Sequence, residues 1–527
     1  MELSRYPNVE RFDDYNLDVL DAELPPQHLR EVVQRPQRWD QPFAAGRLTA
    51  DFVSQILNHP VLREIDASVF PQDLALVDII ANDARPLQLR RGERLYRQGD
   101  YGTSMFVVLH GGFVDITDPI LGVAEALTRR PRETTPIAAT DDTIVLEIRW
   151  AGARELRQWS EWFRGLTDQL HRAHALYYGI RNCDAFVRLS DAHLDEILRH
   201  ARLESYGQFE WSHAYRKARS NATPLRDHEP IIADEDEYLD EIIVMVSGFA
   251  RVTSVHGAQE TSIGAIGAGQ VGGLLELLDA SGRPDATDAG LSFANGYRVS
   301  GTAIVVRVPT YIFEDMIFPS LSRSHMSAFI ADVRNASCAA VSDERNRRHR
   351  GPPPEIVVDR RLMNGTQAMA IDLDRCVNCD ECVRACADSH GGVSRFVRRG
   401  DTLANVLIAH ACMHCHDPVC MIGCPTGAIN RQPDTGHVTV NEDLCIGCTI
   451  CASTCPYDNI RMEPALSAGG RPLVGDDGAP VLTAIKCDLC YKQRNGPACQ
   501  RACPHDALKR VNIADGSALN SLESYLR

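Results

Sequence analysis

The alternation of apolar and polar positions divides the chain into parts before any residue is counted. Residues 1–51 carry little apolar period and are interrupted at ELPPQHL and QRPQRWDQP, which predicts an extended polar arm of the kind that wraps a partner. From Phe52 the pattern becomes regular. DFVSQILNHPVLREI and LALVDIIANDA read as helical. LQLRRGERLYRQGDYGTSMFVVLHGGFVDI then sets apolar clusters between turn signals at Arg91-Gly92, Gly99-Asp100 and Gly111-Gly112, as short antiparallel strands do. A long helical run over 151–180 is expected to close this unit. The scheme repeats with SDAHLDEILRHARLESY, strands around PIIADEDEYLDEIIVMVSGFARVTSV, and a last helical run near 320–341. Two copies of one β-rich module are therefore expected, over 52–180 and 181–341. The charged, Pro-rich stretch SDERNRRHRGPPPEIVVDRRL marks a linker, 342–365, ahead of a cysteine-rich unit over 366–511 and a tail over 512–527.

Composition changes this picture in three ways. A length of 527 residues calls for three or more domains, and 44% hydrophobic with 24% charged residues is globular. The net charge of -16 excludes nucleic acid as the main partner, because phosphate binding needs a basic face. No helix-turn-helix pattern follows either β-rich copy, which also disfavours a transcription factor. No run of 18 apolar residues occurs, so direct membrane insertion is not expected. The first residues, MELSRYPNVERFDDYNLD, lack an export signal, so a cytoplasmic location is expected, with export alongside a signal-bearing partner as the alternative.

The third change is the cysteines: 16 of the 18 fall between Cys376 and Cys503. Over 376–510, 14 Asp plus Glu stand against 13 Lys plus Arg, so about fifteen of the sixteen net negative charges lie elsewhere. The cysteines form four groups: Cys376-x2-Cys379-x2-Cys382-x3-Cys386; Cys412-x2-Cys415-x4-Cys420-x3-Cys424-Pro425; Cys445-x2-Cys448-x2-Cys451-x3-Cys455-Pro456; and Cys487-x2-Cys490-x8-Cys499-x3-Cys503-Pro504. Three thiolates spaced by two can wrap one cluster from a tight loop, while the fourth points to another cluster. Groups one and three match this ferredoxin spacing in full, so four groups predict four 4Fe-4S clusters. Disulfides would need an oxidising compartment and would not require such spacing. Zinc would explain the Cys-x2-Cys pairs but not the cysteine at x3 in every group.

The stretches IDLDRCVNCDECVRAC, ACMHCHDPVCMIGCPTGAI, VNEDLCIGCTICASTCPYDNIRM and KCDLCYKQRNGPACQRACPHDAL resemble the four-cluster iron–sulfur subunit of dimethyl sulfoxide reductase, formate dehydrogenase and related molybdopterin oxidoreductases, and the ferredoxin-like subunits of some hydrogenases. The resemblance implies two pseudo-symmetric ferredoxin units. It also implies the ligand sets Cys376, Cys379, Cys382 and Cys503; Cys487, Cys490, Cys499 and Cys386; Cys412, Cys415, Cys420 and Cys455; and Cys445, Cys448, Cys451 and Cys424. His390, His410, His414, His416 and His505 lie near these loops, where they could tune a potential or simply pack. Tyr457 reads as packing over a cluster, and Cys183 and Cys338 as buried thiols.

The two β-rich copies resemble the cyclic-nucleotide-binding domain family, on Gly92-Glu93, Gln98-Gly99-Asp100, Ser104-Met105 and a strand ending at Gly112, with a looser second match ending at Gly248. In that family the ligand sits on a short Gly-Glu helix, where the Glu takes the ribose hydroxyl and a Pro-Arg pair a few residues later grips the cyclic phosphate. Copy one keeps Pro131-Arg132, but Glu125 is displaced from the family position, so Arg132 and Glu125 are the candidate nucleotide residues. Copy two has Gly273 in place of the Glu, and Arg298 as the nearest equivalent arginine. The β-rolls are therefore expected to serve mainly as docking or packing modules.

The expected architecture is multidomain α+β: two β-roll, cyclic-nucleotide-binding-like domains followed by a double ferredoxin-like iron–sulfur domain. The expected role is an electron-transfer subunit or adaptor with no catalytic residues of its own. Its partners are then a catalytic oxidoreductase subunit, either a molybdopterin enzyme or a nickel–iron hydrogenase, and an electron donor or acceptor. The alternative is a redox- or cyclic-nucleotide-responsive regulatory protein.

Overall fold

The computed structural model describes residues 31–34, 37–207, 229–256, 259–281, 291–337, 361–403, 405–467 and 470–513. The arm over 1–30, most of the linker, Cys338 and the tail from 514 lie outside the described residues. The described end of the arm packs on the rest of the chain. β1 (Glu31–Val32) pairs in parallel with β18 (Leu473–Val474) of the cysteine-rich unit. A few residues later Arg38, 8% exposed at its side chain, bonds Asp83 at 2.7 Å and Glu155 at 3.0 Å, fastening the arm to the first β-roll.

The first roll opens with α1 (Ala50–Leu57), whose N-cap Thr49 accepts a hydrogen bond from Phe52, and α2 (Leu76–Asp83). Its sheet runs β2 (Ala84–Leu89), β5 (Thr143–Ile148), β3 (Met105–His110), β4 (Ile120–Leu121), all antiparallel. Alternate residues of β3 and β5, Met105, Val107, Leu146 and Ile148, point under the helices and close the core. A short helix α3 (Val123–Thr128) follows β4. The expected single helix over 151–180 is two: α4 (Trp150–Trp159) and α5 (Glu161–Arg181). Ser160 breaks the run with extended backbone, and its hydroxyl accepts from Phe163 N at 3.1 Å, capping α5.

The second roll repeats this plan with α6 (Asp191–His200) and a six-stranded antiparallel sheet. Its main path is β10 (Val271–Gly272), β8 (Glu241–His256), β11 (Gly296–Pro309), β6 (Arg202–Tyr206), with β7 (Ile231–Ala233) on β11 and β9 (Gln259–Gly267) on β8. α5 joins the two rolls. Gly179 lets it lie so close to β8 that a Cβ there would sit 2.6 Å from Val246 Cγ2. A final helix, Arg323–Ala336, buries Phe329 and Val333.

The cysteine-rich unit is built on a four-stranded sheet, β13 (Val397–Leu403), β14 (Val406–His410), β12 (Gln367–Asp372), β20 (Leu508–Asn512), and two hairpins, β15 (Ile429–Arg431) with β16 (Val438–Val440) and β17 (Arg461–Pro464) with β19 (Leu482–Ile485). Residues 361–364, which the sequence assigns to the linker, are packed, with Leu362 3% exposed. No helix among the described residues is long and apolar enough to cross a membrane.

Candidate metal centres

Strand register brings the cysteine groups together. Ile371 pairs with Leu508, so Cys376, five residues after one, and Cys503, five before the other, leave the same end of the ladder. Ile429 pairs with Val440, and Cys424 and Cys445 stand at the same five-residue offsets. The two halves thus repeat one construction. Between cysteines, each loop turns through left-handed backbone: Asn378 and Asp380 in group one, Gly447 and Thr449 at the matching places in group three, and Leu489 in group four. Asn, Asp and Gly take this conformation readily; Thr449 and Leu489 do so only because the surrounding structure holds them.

The described cysteines are all free thiols. Cys376, Cys379, Cys382 and Cys503 line one cavity of about 330 Å³. Cys424, Cys445, Cys448 and Cys451 line another of about 330 Å³, and Cys412, Cys415, Cys420 and Cys455 a third of about 360 Å³. Cys386, Cys487, Cys490 and Cys499 form the remaining set, close enough that the first, second and third each disfavour ionisation of Cys499. Exposure is graded across the sets. In the set with Cys376, Cys379 is exposed and Cys376 and Cys503 half-buried; in the set with Cys424, Cys445 and Cys448 are half-buried; in the set with Cys412, Cys415 alone is half-buried; Cys386, Cys487, Cys490 and Cys499 are all buried. The buried hydrophobic clusters divide likewise, with Cys382, Cys386, Cys487 and Cys499 around Met369 and Ile371, and Cys420, Cys424, Cys451 and Cys455 around Met421 and Ile460. Cys412 packs with the first of these although its cavity belongs to the second half.

The donor chemistry fits iron–sulfur clusters. Burial pushes the Cys382, Cys448 and Cys455 thiols up to about 11 and Cys499 to about 12, and it raises Cys415, Cys420 and Cys451 as well. Such thiols ionise only against a metal, which deprotonates a coordinating thiol outright. Hydrogen-bond donors already face the sulfurs. Arg395 N reaches Cys386 Sγ at 3.3 Å, His414 N reaches Cys412 Sγ at 3.4 Å, Ala484 N reaches Cys445 Sγ at 3.4 Å and Ala507 N reaches Cys503 Sγ at 3.3 Å. Lys486 is 1% exposed, and its ammonium donates to Cys412 Sγ at 3.1 Å, Val438 O at 2.5 Å and Cys487 O at 3.3 Å. Burial alone would discharge it, but Cys412 and Cys420 as thiolates hold it above its usual range. A buried ammonium bonded to sulfur and no carboxylate needs that sulfur anionic.

The histidines take different roles. His390 Nε2 donates to Asp488 Oδ1 at 3.2 Å and its Nδ1 to Cys386 O at 2.7 Å; despite burial, which lowers it, Asp488 and Cys386 raise it to about 10. His414 is fully buried, is kept neutral by that burial, and accepts from Val438 N at 3.0 Å. His416 packs edge-on against Phe249 of the second roll, 5.9 Å between centroids. His505 lines the cavity of Cys376, and His410 pairs with Val397 at the β14 end. Tyr457 is buried and donates to Arg361 O at 2.7 Å. Cys183 is a buried core thiol, pushed up to about 12 by burial.

At the nucleotide candidates, Arg132 is 3% exposed and its guanidinium is already engaged. It donates to Ser104 O at 2.9 Å and Gly122 O at 3.2 Å, lies 3.6 Å from Glu125 Oε2, and stacks over Tyr96 at 4.4 Å. Glu125 also accepts from Glu133 N at 3.1 Å. In the second roll Arg298 bonds Glu260 at 2.6 Å, and Gly273 has φ +84 at the start of the helix Leu274–Ser281. Sequence reasoning missed Lys486 and Arg510. A lone lysine closing the apolar strand LTAIK directly before a Cys-x2-Cys pair was the available signal.

Comparison with known proteins gives the same chemistry. Residues 403–469 match the family described as 4Fe-4S dicluster domain. Hydrogenase-4 component A of Escherichia coli K12 is 32% identical over 161 residues, 26% of this chain and 78% of that protein. Electron transport protein HydN of the same strain is 35% identical over 153 residues, 26% and 83% respectively, and formate hydrogenlyase subunit 2 is 34% identical over 171 residues, 27% and 81%. Among solved structures, the chain is similar to the regulatory domain of Toxoplasma gondii PKA with cAMP (12% identity, 54% of this chain, 97% of that chain, TM-score 0.23). A second is the regulatory subunit of a cAMP-independent protein kinase A from Trypanosoma brucei (10%, 58%, 93%, TM-score 0.22).

Proposed function

Since the chain belongs, through its cysteine-rich unit, to the family of ferredoxin-type iron–sulfur electron-transport proteins that includes hydrogenase-4 component A and HydN, we propose that it is the electron-transfer subunit or adaptor of an oxidoreductase complex and carries four 4Fe-4S clusters. The four thiol sets given above hold one cluster each. When bound, the clusters supply one-electron redox chemistry. The chain's own residues bind them, keep water from the central pair and donate hydrogen bonds to their sulfurs, which together set the potentials. The carrying observation is the gradient of exposure: a set with exposed Cys379 at one end, a set with half-buried Cys445 and Cys448 at the other, and between them two sets in which every thiol but the half-buried Cys415 is buried. A wire needs two accessible ends and a dry middle.

Substrate chemistry then belongs to the partner. The relatives' names, components of a hydrogenase and of a formate hydrogenlyase, support a partner of the nickel–iron hydrogenase or molybdopterin class. The protein works in the cytoplasm, where thiols stay reduced. The two β-rolls dock and shield the clusters rather than sense a nucleotide, because the Arg132 guanidinium already spends its donors inside the protein.

Anaerobic purification with iron and acid-labile sulfide analysis tests the reading. About sixteen of each per chain are expected from four cubes. Eight or fewer would reduce the wire to a two-cluster ferredoxin.

A further inference from the structure

Lys486 and Arg510 stand where the two halves of the cysteine-rich unit meet. Lys486 Nζ donates to Cys412 Sγ at 3.1 Å and to the carbonyl of Cys487 at 3.3 Å. Arg510 Nη2 does the reverse, donating to Cys487 Sγ at 3.5 Å and to the carbonyl of Cys412 at 3.1 Å. Each cation thus touches the sulfur of one cysteine and the backbone of the other. Cys412 belongs to the set of Cys415, Cys420 and Cys455; Cys487 belongs to the set of Cys386, Cys490 and Cys499. His390 also reaches a central sulfur, Cys386 Sγ at 3.7 Å, but among the described residues Lys486 and Arg510 are the side-chain cations that each bond cysteines of both central sets.

Burial creates a problem that these cations answer. Reducing a cluster adds negative charge, and a dry site disfavours that charge, so the more deeply buried central pair would lie below the more accessible outer pair in potential. Electrons would meet a barrier midway. A fixed positive charge within hydrogen-bond distance of the ligand sulfur favours the reduced form and offsets the burial.

We propose that Lys486 and Arg510 form a cationic joint that raises the reduction potentials of the two central clusters and so allows electrons to cross between the halves. Both are positioning and tuning residues rather than catalytic ones. The proposal rests on the four-cluster reading, and its test separates the two.

The measurement is a redox titration of the full chain followed by electron paramagnetic resonance, with iron analysis on every sample. Lys486→Met is expected to lower the potential of the cluster held by Cys412, and Arg510→Gln that of the cluster held by Cys487. Each shift should be at least tenfold in the one-electron reduction equilibrium, about 59 mV. The potentials of the outer clusters should stay in place, and Lys486→Arg should retain most of the wild-type value because the charge is kept. Should Lys486→Met fail to load iron, Arg510→Gln decides the matter alone, since Arg510 is only partly buried and its loss leaves Lys486 in place. Full iron with unmoved central potentials, or equal shifts in all four clusters, overturns the joint. Wild-type protein with fewer than about sixteen irons overturns the four-cluster reading beneath it.

Discussion

Arg132 shows how a residue can keep its type and lose the use its type suggests. Its Pro131-Arg132 pair matches the resemblance in sequence, yet the guanidinium closes on Glu125, Ser104 and Gly122 under the Tyr96 ring. Titration calorimetry with cyclic AMP and cyclic GMP is therefore expected to give no binding heat. Arg132→Met strands the buried Glu125 carboxylate and should cost about 3 kcal/mol of stability in denaturant unfolding, and adding Glu125→Gln should recover much of that loss. His171, on α5, carries a second residue-scale prediction. Burial, with Arg157 beside it, pulls its imidazole down to about 4 from the ordinary 6.5. Between those values the unfolded chain takes a proton that the folded chain refuses, so stability falls as pH drops from about 6.5 to about 4, by up to about 3 kcal/mol. Replacing His171 with Gln should flatten that limb of the stability profile; an unchanged slope would show that other groups cause it. At this scale the thiol donors were legible in sequence and their neighbours were not. Cysteine spacing is a local property, whereas two of the three hydrogen-bond partners of Lys486 come from residues 48 and 74 positions away.

Elements were read with mixed success, for a physical reason in each case. The repeat of helix, apolar strand, Gly turn and strand was plain because amphipathic period is written locally. The break between α4 and α5 was not, since WSEWF continues a helical period through Ser160 and only the cap bond to Phe163 stops it. Ser160→Ala should lower stability by about 1 kcal/mol in chemical denaturation, the usual worth of a cap, and leave the iron content unchanged. The cluster loops depended on elements in another way. Equal five-residue offsets from the Ile371–Leu508 and Ile429–Val440 pairs carry cysteines far apart in sequence to one end of each ladder. That register needs strand pairing, which no spacing rule contains.

At the scale of the whole molecule, both rolls close over the loop that carries Cys415 and Cys420. Trp150 Nε1 of the first roll donates to Ile422 O at 3.2 Å, Arg129 lies 3.8 Å from Asp417, and Tyr101 N donates to Pro433 O at 2.9 Å with Arg431 stacked 4.8 Å over its ring. Phe249 of the second roll covers His416. Loosening this cover with Trp150→Phe and Tyr101→Ala together should leave iron content as purified unchanged but speed loss of iron to a chelator severalfold, read as bleaching of the cluster absorbance. An unchanged rate would show that the rolls do not shield the clusters. The described end of the arm lays β1 on Leu473–Val474 and ties Arg38 to Asp83, so that end serves the chain's own assembly. The sequence by itself determined the kinds of module, their order and the iron–sulfur chemistry, because amphipathic period and thiol spacing are properties of short segments. Only the tertiary structure decided which thiols share a cavity, which cations sit between the halves and what covers the central loop. Those are contacts between residues far apart in the chain, made by strand register and by burial, and neither is recorded in any one segment.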